Sequence, residues 1–142
     1  METNAYIRVF PVEQGNFETA GEASSVIKRM LKRLGIEPNI IRDVAIAAYE
    51  TELNLVIHSL GGELTLEVRP HMIVLSSKDN GPGIEDISLA LEEGYSTAPE
   101  SVRMMGFGAG MGLPNVKRHS HEFHIRSEKG KGTEIRAIYH LK

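Results

Sequence analysis

Cysteine is absent from the 142 residues of this chain. Disulfides, thiolate zinc sites and cysteine nucleophiles are therefore excluded. No apolar run approaches the ~20 residues that a membrane-spanning helix needs. The first residues, Met1 to Tyr6, have neither a basic start nor an apolar core, so we predict no signal peptide. The resulting expectation is a cytoplasmic protein without a membrane partner.

The chain also lacks a large charge of either sign. Its 16 lysines and arginines stand against 19 aspartates and glutamates, which gives a formal net charge of −3. Such a balance provides no general attraction to nucleic acid, so no nucleic-acid partner is expected. An apolar content of 41% and a charged content of 25% are ordinary for a globular protein. We therefore expect one domain, over residues 1–142, with a real core.

Helical and strand periodicities follow one another along the chain. Helices are predicted from Asn16 to Leu34, closed by Gly35, and from Pro38 or Asn39 to about Ser59. Shorter helices are predicted at 85–93 and 113–120, and strands at 5–10, 63–69, 72–77, 122–127 and 133–139. This order predicts an α+β, two-layer sandwich in which helices cover one face of a mixed, mostly antiparallel sheet.

The second predicted helix carries a polar stripe within an apolar stretch. Glu50, Asn54 and His58 recur every fourth residue and so line one side of the helix, drifting by ~40° per step. Apolar residues cluster on the other side: Ile41, Val44, Ala45, Ala48, Leu55 and Val56. The stripe must face water, a buried network or a charged ligand. Taken alone, it indicates a solvated helix face.

Specific chemistry is available to two members of the stripe. The amide oxygen of Asn54 is a suitable ligand for Mg²⁺, and the carboxylate of Glu50, one turn away, could orient or deprotonate a hydroxyl. We expect His58 to be a hydrogen-bonded helix residue. Glu52 falls near the apolar side, where an unpaired carboxylate is costly, so it requires a buried partner or an interface.

Two glycine-rich segments follow this helix. Asp79-Asn-Gly-Pro-Gly83 ends a predicted strand, and it is either a simple turn or a site where the backbone approaches a ligand and the carboxylate accepts a hydrogen bond from an amine. Glycines at every second position from Gly106 to Gly112 precede a helix, where exposed amides bind phosphate well. A flexible linker is the alternative there. A Rossmann fingerprint is rejected because no parallel β-α-β pattern surrounds these glycines.

Two further clusters have alternative interpretations. The histidines His119, His121 and His124 run from a predicted helix into a strand, and a metal site is the less favoured interpretation because no fixed geometry follows from their spacing. Four basic residues form either a solvated face or a protein-docking patch on the first predicted helix. They are Lys28, Arg29, Lys32 and Arg33.

Three motifs in this order resemble the N, G1 and G2 boxes of the GHKL (Bergerat-fold) ATPases. They are Glu50-x-x-x-Asn54-x-x-x-His58, Asp79-x-Gly81-x-Gly83 and the glycine-rich Gly106 to Gly112. Within that group, the chain is similar to the small serine-kinase branch, which contains anti-sigma factors and the switch kinase of the stressosome. The segments that carry this similarity include Glu93-Gly-Tyr-Ser-Thr97, Gly112-Leu-Pro-Asn-Val-Lys-Arg118 and Gly132-Thr-Glu-Ile-Arg-Ala137.

The resemblance implies ATP and Mg²⁺ as ligands and assigns roles to the matching residues. Glu50 would be the catalytic base that activates a serine or threonine hydroxyl of a protein substrate, and Asn54 would bind Mg²⁺. Asp79 would bind the adenine amino group, helped by Thr133 through water, while Gly81 and Gly83 let the backbone pass the nucleotide. Further residues would form the phosphate-covering lid, namely Ser96, Thr97, Gly106, Gly108, Gly110 and Gly112. Arg103 and Lys117 are the candidate phosphate contacts.

The implied activity is that of a serine/threonine protein kinase and partner-switching, anti-sigma regulator. Its substrate would be an antagonist protein with a STAS-type domain, and a sigma factor or an output enzyme would be the second partner. The alternative is a nucleotide-gated binding switch with little or no phosphoryl transfer. The sequence leaves open whether two copies of the chain form a homodimer.

Overall fold

The computed structural model describes residues 6–13, 15, 20–58, 61–79, 81, 112–128 and 131–141, and the structural statements below concern these residues. The first half contains strand β1 (Tyr6–Val12), helices α1 (Glu22–Arg33) and α2 (Pro38–His58), and strands β2 (Gly62–Val68) and β3 (Met72–Asp79). The second half contains helix α3 (Gly112–Arg118) and strands β4 (Glu122–Glu128) and β5 (Gly132–His140). The predicted helix at 85–93 lies outside the described residues.

The strands form one five-stranded sheet in the order β1-β2-β3-β5-β4. Every neighbouring pair is antiparallel, so the expected mixed sheet is wholly antiparallel in this part of the chain. β1 continues through Pro11, opposite Glu63, beyond the end predicted at residue 10. Proline is tolerated there because β1 is an edge strand, where the outer side of the backbone donates no ladder hydrogen bond.

The core lies between one face of the sheet and the helices. Alternate residues of β2, β3 and β5 are buried on that face, as the period-two pattern of the sequence predicts. They are Leu64, Leu66, Val68, Ile73, Leu75, Ile135, Ala137 and Tyr139. The helices contribute Ile27, Leu31, Ile41, Val44, Ala48, Leu55, Leu113 and Val116. The expected α+β sandwich is confirmed, and no described helix is long and apolar enough to span a membrane.

Helix α1 begins six residues later than the predicted start at Asn16. Gly21 precedes it with φ 100° and ψ −13°, a left-handed conformation from which the helix starts at Glu22. The end is as predicted, since Gly35 has φ 74° directly after the last turn. Gly21 stands at the N-cap position of α1 and has no side chain, so it cannot cap the amides that a helix leaves unpaired at this end.

Glu52 of α2 supplies the missing cap. Its side chain is only 4% exposed, and Oε2 accepts a hydrogen bond of 3.3 Å from the backbone amide of Ala23. Burial raises the pKa of the Glu52 carboxyl, and the backbone amides at the start of α1 oppose this rise. The carboxylate also lies at the positive end of the α1 dipole. The buried partner that the sequence requires for Glu52 is therefore the amino end of α1.

Replacement of Glu52 by alanine is expected to lower the free energy of unfolding by about 2 kcal/mol, because it uncaps α1 and leaves a small cavity. Urea denaturation followed by circular dichroism measures the change. Glu52→Gln retains the shape and an acceptor oxygen, so it should cost clearly less. Equal losses in the two variants would show that the acceptor oxygen does not stabilise α1.

Candidate functional site

The carboxylate of Asp79 is fixed by two backbone amides at the end of β3. Oδ1 accepts a hydrogen bond of 2.9 Å from the amide of Gly81 and one of 3.0 Å from the amide of Thr133 on β5. Oδ1 is the acceptor of both hydrogen bonds that the described residues donate to this carboxylate. The second oxygen, Oδ2, is therefore held in a defined orientation and can accept a hydrogen bond from a ligand.

A glycine next to this carboxylate leaves no room for a side chain. Gly132 has φ 117°, and a Cβ atom there would lie 2.3 Å from the backbone oxygen of Asp79 and 3.0 Å from Oδ1. Across the sheet, Gly62 pairs with Asp79, and its Cβ would lie 2.3 Å from the backbone oxygen of Lys78. In the sequence, Gly132 stands out only as the first residue of the segment Gly132-Thr-Glu-Ile-Arg-Ala137, which carries the family resemblance. Its position directly before a strand residue is the signal for a close backbone approach.

The hairpin between β4 and β5 holds Thr133 in place. Ser127 Oγ donates to the backbone oxygen of Gly132 at 3.1 Å, and it lies 2.8 Å from Thr133 Oγ1. A serine hydroxyl has one proton, so in this arrangement the Thr133 hydroxyl donates to Ser127. Thr133 is only 6% exposed. Its amide donates to Asp79, while its hydroxyl oxygen keeps the capacity to accept a further hydrogen bond.

A second group of polar side chains lies between α2 and α3. Glu50 is half-buried, and its Oε2 accepts a hydrogen bond of 3.5 Å from Asn115 Nδ2. Arg118 Nη1 in turn donates to Asn115 Oδ1 at 3.1 Å. Burial raises the pKa of the Glu50 carboxyl, and the hydrogen bond from Asn115 opposes this rise. A carboxylate with a raised pKa is a stronger proton acceptor than an ordinary one.

Asn54 follows Glu50 by one turn of α2 and is also half-buried. The predicted polar stripe is therefore neither fully solvated nor part of the core. Glu50 and Asn54 lie on the helix that packs against β2 and β3 of the sheet. The side chain of His58 lies outside the described residues.

The other predicted site residues divide into three groups. Asp79, Gly81 and Thr133 are brought together as described above. Gly112 is the first residue of α3, and Lys117 is exposed in its last turn. The remaining predicted residues lie outside the described part of the chain: Gly83, Ser96, Thr97, Arg103, Gly106, Gly108 and Gly110. Asn115 was not singled out in the sequence, because a single asparagine in a short helix carries no pattern.

The three histidines of the cluster at 119–124 have separate partners. His119 Nδ1 lies 3.0 Å from Asp43 Oδ1, and His121 Nδ1 accepts a hydrogen bond of 2.7 Å from the backbone amide of His140. His124 Nε2 lies 3.8 Å from a carboxylate oxygen of Glu122. Within the described ranges, no three histidine, aspartate or glutamate side chains are grouped so that they could hold a metal ion.

Gly132→Ala is expected to lower the free energy of unfolding by about 3 kcal/mol, because φ 117° is strained for alanine and the new Cβ overlaps Asp79. Gly35→Ala is the matched control. Its φ is also positive, at 74°, but nothing lies within 4 Å of the added Cβ, so we expect a cost of only about 1 kcal/mol. Urea denaturation of both variants checks the difference, and equal costs would contradict the close packing at Asp79.

The family model for the histidine kinase-, DNA gyrase B- and HSP90-like ATPases matches residues 40–142. This chain belongs to that family. The match includes both groups of polar residues, from Glu50 on α2 to Thr133 on β5. The family predicted from the three sequence motifs is confirmed.

Relatives within the family include kinases and anti-sigma factors. The chain is 32% identical to the serine/threonine-protein kinase RsbT of Bacillus subtilis (strain 168) over 119 residues, which cover 81% of this chain and 84% of RsbT. It is 33% identical to the anti-sigma F factor of Clostridium acetobutylicum over 100 residues, which cover 67% of this chain and 66% of that protein. The sequence motifs predict the small serine-kinase branch of the family, which contains anti-sigma factors, and these relatives confirm that prediction.

Two solved structures share the fold. One contains the RsbU and RsbW domains of Rv1364c from Mycobacterium tuberculosis, with a TM-score of 0.64, 16% identity and coverage of 94% of this chain and 31% of that one. The other is the SiaB-SiaC complex from Pseudomonas aeruginosa, with a TM-score of 0.60, 14% identity and coverage of 92% and 89%. At these identities the likeness concerns the fold alone.

Proposed function

We propose that this chain is an ATP-dependent serine/threonine protein kinase that phosphorylates an antagonist protein with a STAS-type domain. The phosphorylation would switch a sigma factor or an output enzyme between partners. The observation that carries the proposal is the carboxylate of Asp79, whose Oδ1 accepts both hydrogen bonds that the described residues donate to it, from the amides of Gly81 and Thr133. The similarity to a serine/threonine-protein kinase and to anti-sigma F factors supports both the activity and the kind of partner.

The fixed carboxylate suits adenine. Adenine carries an exocyclic amine, which donates a hydrogen bond that Asp79 Oδ2 can accept. Guanine carries a carbonyl oxygen at the corresponding position, and this acceptor would face another acceptor. Gly132 contributes by leaving the carboxylate uncovered, since any larger residue would overlap Asp79. In this proposal Thr133 assists through a water molecule, and the backbone at Gly81 and Gly83 passes the nucleotide.

The residues near Glu50 suit a magnesium ion and the phosphates. Asn54 offers a hard amide oxygen in a half-buried position, one turn from Glu50, and this is a fitting ligand for Mg²⁺. A bound Mg²⁺ would neutralise negative charge on the phosphate oxygens. We assign phosphate contacts to Lys117 and Arg103 and the covering lid to Ser96, Thr97 and the glycines Gly106, Gly108, Gly110 and Gly112.

In the transfer step, Glu50 acts as the base. It takes the proton from a serine or threonine hydroxyl of the antagonist as that oxygen forms a bond to the γ-phosphorus of ATP. The bond between the γ-phosphorus and the bridging oxygen breaks, and ADP leaves. Phosphoryl transfer depends mainly on positioning and on charge neutralisation, so a few well-placed groups suffice. Half-burial of Glu50 favours this role because it raises the pKa of the carboxyl.

A nucleotide-gated switch with little or no transfer is the second candidate. This candidate is favoured because several relatives of the chain are anti-sigma F factors. Such a switch would need the same nucleotide site at Asp79 but no base at Glu50. Pull-down of a purified sigma factor or antagonist, with and without ATP, together with a transfer assay on the same pair, separates the two. Nucleotide-dependent capture without any phosphorylation would favour the switch.

Asp79→Asn is expected to raise the dissociation constant of Mg·ATP at least about tenfold in isothermal titration calorimetry. The asparagine Oδ1 can still accept from Gly81 and Thr133, so the fold should persist, but an amide now faces the exocyclic amine of adenine. An unchanged melting temperature serves as the control for folding. Unchanged ATP affinity, or a wild type that binds no ATP, would refute the nucleotide site.

Glu50→Gln is expected to reduce transfer from labelled ATP to the antagonist at least about 100-fold while ATP affinity persists. Because burial raises the pKa of Glu50, the wild-type rate should fall as the pH drops through this raised pKa, where the base becomes protonated. A pH series of initial rates measures this. Loss of ATP binding in step with transfer would mean that Glu50 is structural.

A further inference from the structure

We infer that Asn115, held in its orientation by Arg118, is a positioning residue for the base Glu50. The inference rests on the proposed function, because it gives Asn115 a role in the same transfer step. Its basis is a continuous hydrogen-bonded chain from Arg118 Nη1 to Asn115 Oδ1 at 3.1 Å and from Asn115 Nδ2 to Glu50 Oε2 at 3.5 Å. Neither α3 residue is required for the adenine contact at Asp79.

Arg118 settles which end of the Asn115 amide faces Glu50. An arginine side chain only donates hydrogen bonds, so the atom of Asn115 that faces it must be the oxygen. The NH₂ group is consequently directed at the carboxylate of Glu50. In the reverse orientation the amide oxygen would face a carboxylate oxygen, and the amide nitrogen would face the guanidinium, so both contacts would be lost.

The contact restricts one oxygen of Glu50. Oε2 receives the hydrogen bond from Asn115, which leaves Oε1 to accept the substrate proton. At 3.5 Å this hydrogen bond is long and therefore weak, so burial still keeps the pKa of the Glu50 carboxyl raised. A base that rotates freely would spend less time aligned with the attacking hydroxyl, and misalignment lowers the rate of transfer.

A second contact between the same helices distinguishes positioning from packing. His119, the residue directly after α3, has its Nδ1 atom 3.0 Å from Asp43 Oδ1 of α2, and this pair links the end of α3 to α2 without involving Glu50. If Asn115 served only to hold α3 on α2, loss of either contact would have similar consequences. If Asn115 positions the base, only the loss of the Asn115 contact should change the titration of the Glu50 carboxyl. His119→Gln is therefore the matched control.

The test compares Asn115→Leu, Asn115→Asp and His119→Gln in three measurements. The first is transfer from labelled ATP to a purified STAS-domain protein that the wild type phosphorylates, giving kcat and the KM for ATP. The second is ATP affinity by calorimetry. The third is the pH titration of the Glu50 carboxyl by carbon-13 NMR, with the resonance assigned through Glu50→Gln. This third readout needs no substrate, so it tests Asn115 even if the wild type transfers no phosphate and the proposed kinase activity fails.

For Asn115→Leu we expect kcat to fall about tenfold, with the KM and affinity for ATP unchanged. The pKa of Glu50 should rise further, because the hydrogen bond that opposes the rise is removed. Asn115→Asp should lower kcat more, since it places a second carboxylate against Glu50, and this near-isosteric variant keeps the test valid if leucine unfolds α3.

His119→Gln should lower the melting temperature without moving the Glu50 titration. Equal effects of Asn115→Leu and His119→Gln on the titration, or no effect of either Asn115 variant, would overturn the inference.

Discussion

The hydrogen bonds between the Asp79 carboxylate and the amides of Gly81 and Thr133 connect the fold to the site. They join the end of β3 to the start of β5, two neighbouring strands of the sheet. A side chain at residue 132 would overlap the same aspartate, so glycine there is a requirement of this junction. The carboxylate thus fixes the course of the chain with one oxygen, and we propose that the other oxygen accepts a hydrogen bond from the ligand.

Three acidic residues of α2 organise the helical layer in a comparable way. Asp43 contacts His119, Glu50 contacts Asn115, and Glu52 caps the amino end of α1. Each carboxylate contacts a neighbouring helix or the residue directly after it, and burial raises the pKa of Glu50 and Glu52. Such groups cost stability unless they are hydrogen-bonded. Their presence on an apolar helix is explained by the contacts that they make and, for Glu50, by the chemistry that we propose.

Much of this arrangement could be predicted from the sequence, because the hydrophobic periods of α2, β2 and β3 are strong and the glycines mark the strand ends. The predicted start of α1 at Asn16 was wrong, because the apolar spacing continues before Gly21. Only the left-handed backbone conformation of Gly21 shows where the helix begins. The need of Glu52 for a partner was evident, but its identity was not, because the contact joins residues 29 positions apart. Asn115 was missed for the same reason: its role depends on how α3 crosses α2.

We propose above all that Asp79 and the two amides that hold it form the base-recognition end of an adenine-nucleotide site. Amide proton–nitrogen NMR spectra of the uniformly labelled protein, titrated with Mg·ATP or with Mg·GTP, test this claim most directly. The Gly81 and Thr133 amides report on the carboxylate that each of them contacts. We expect both resonances to shift with Mg·ATP and to remain in place at the same concentration of Mg·GTP. Equal shifts with the two nucleotides, or none with Mg·ATP, would contradict the account.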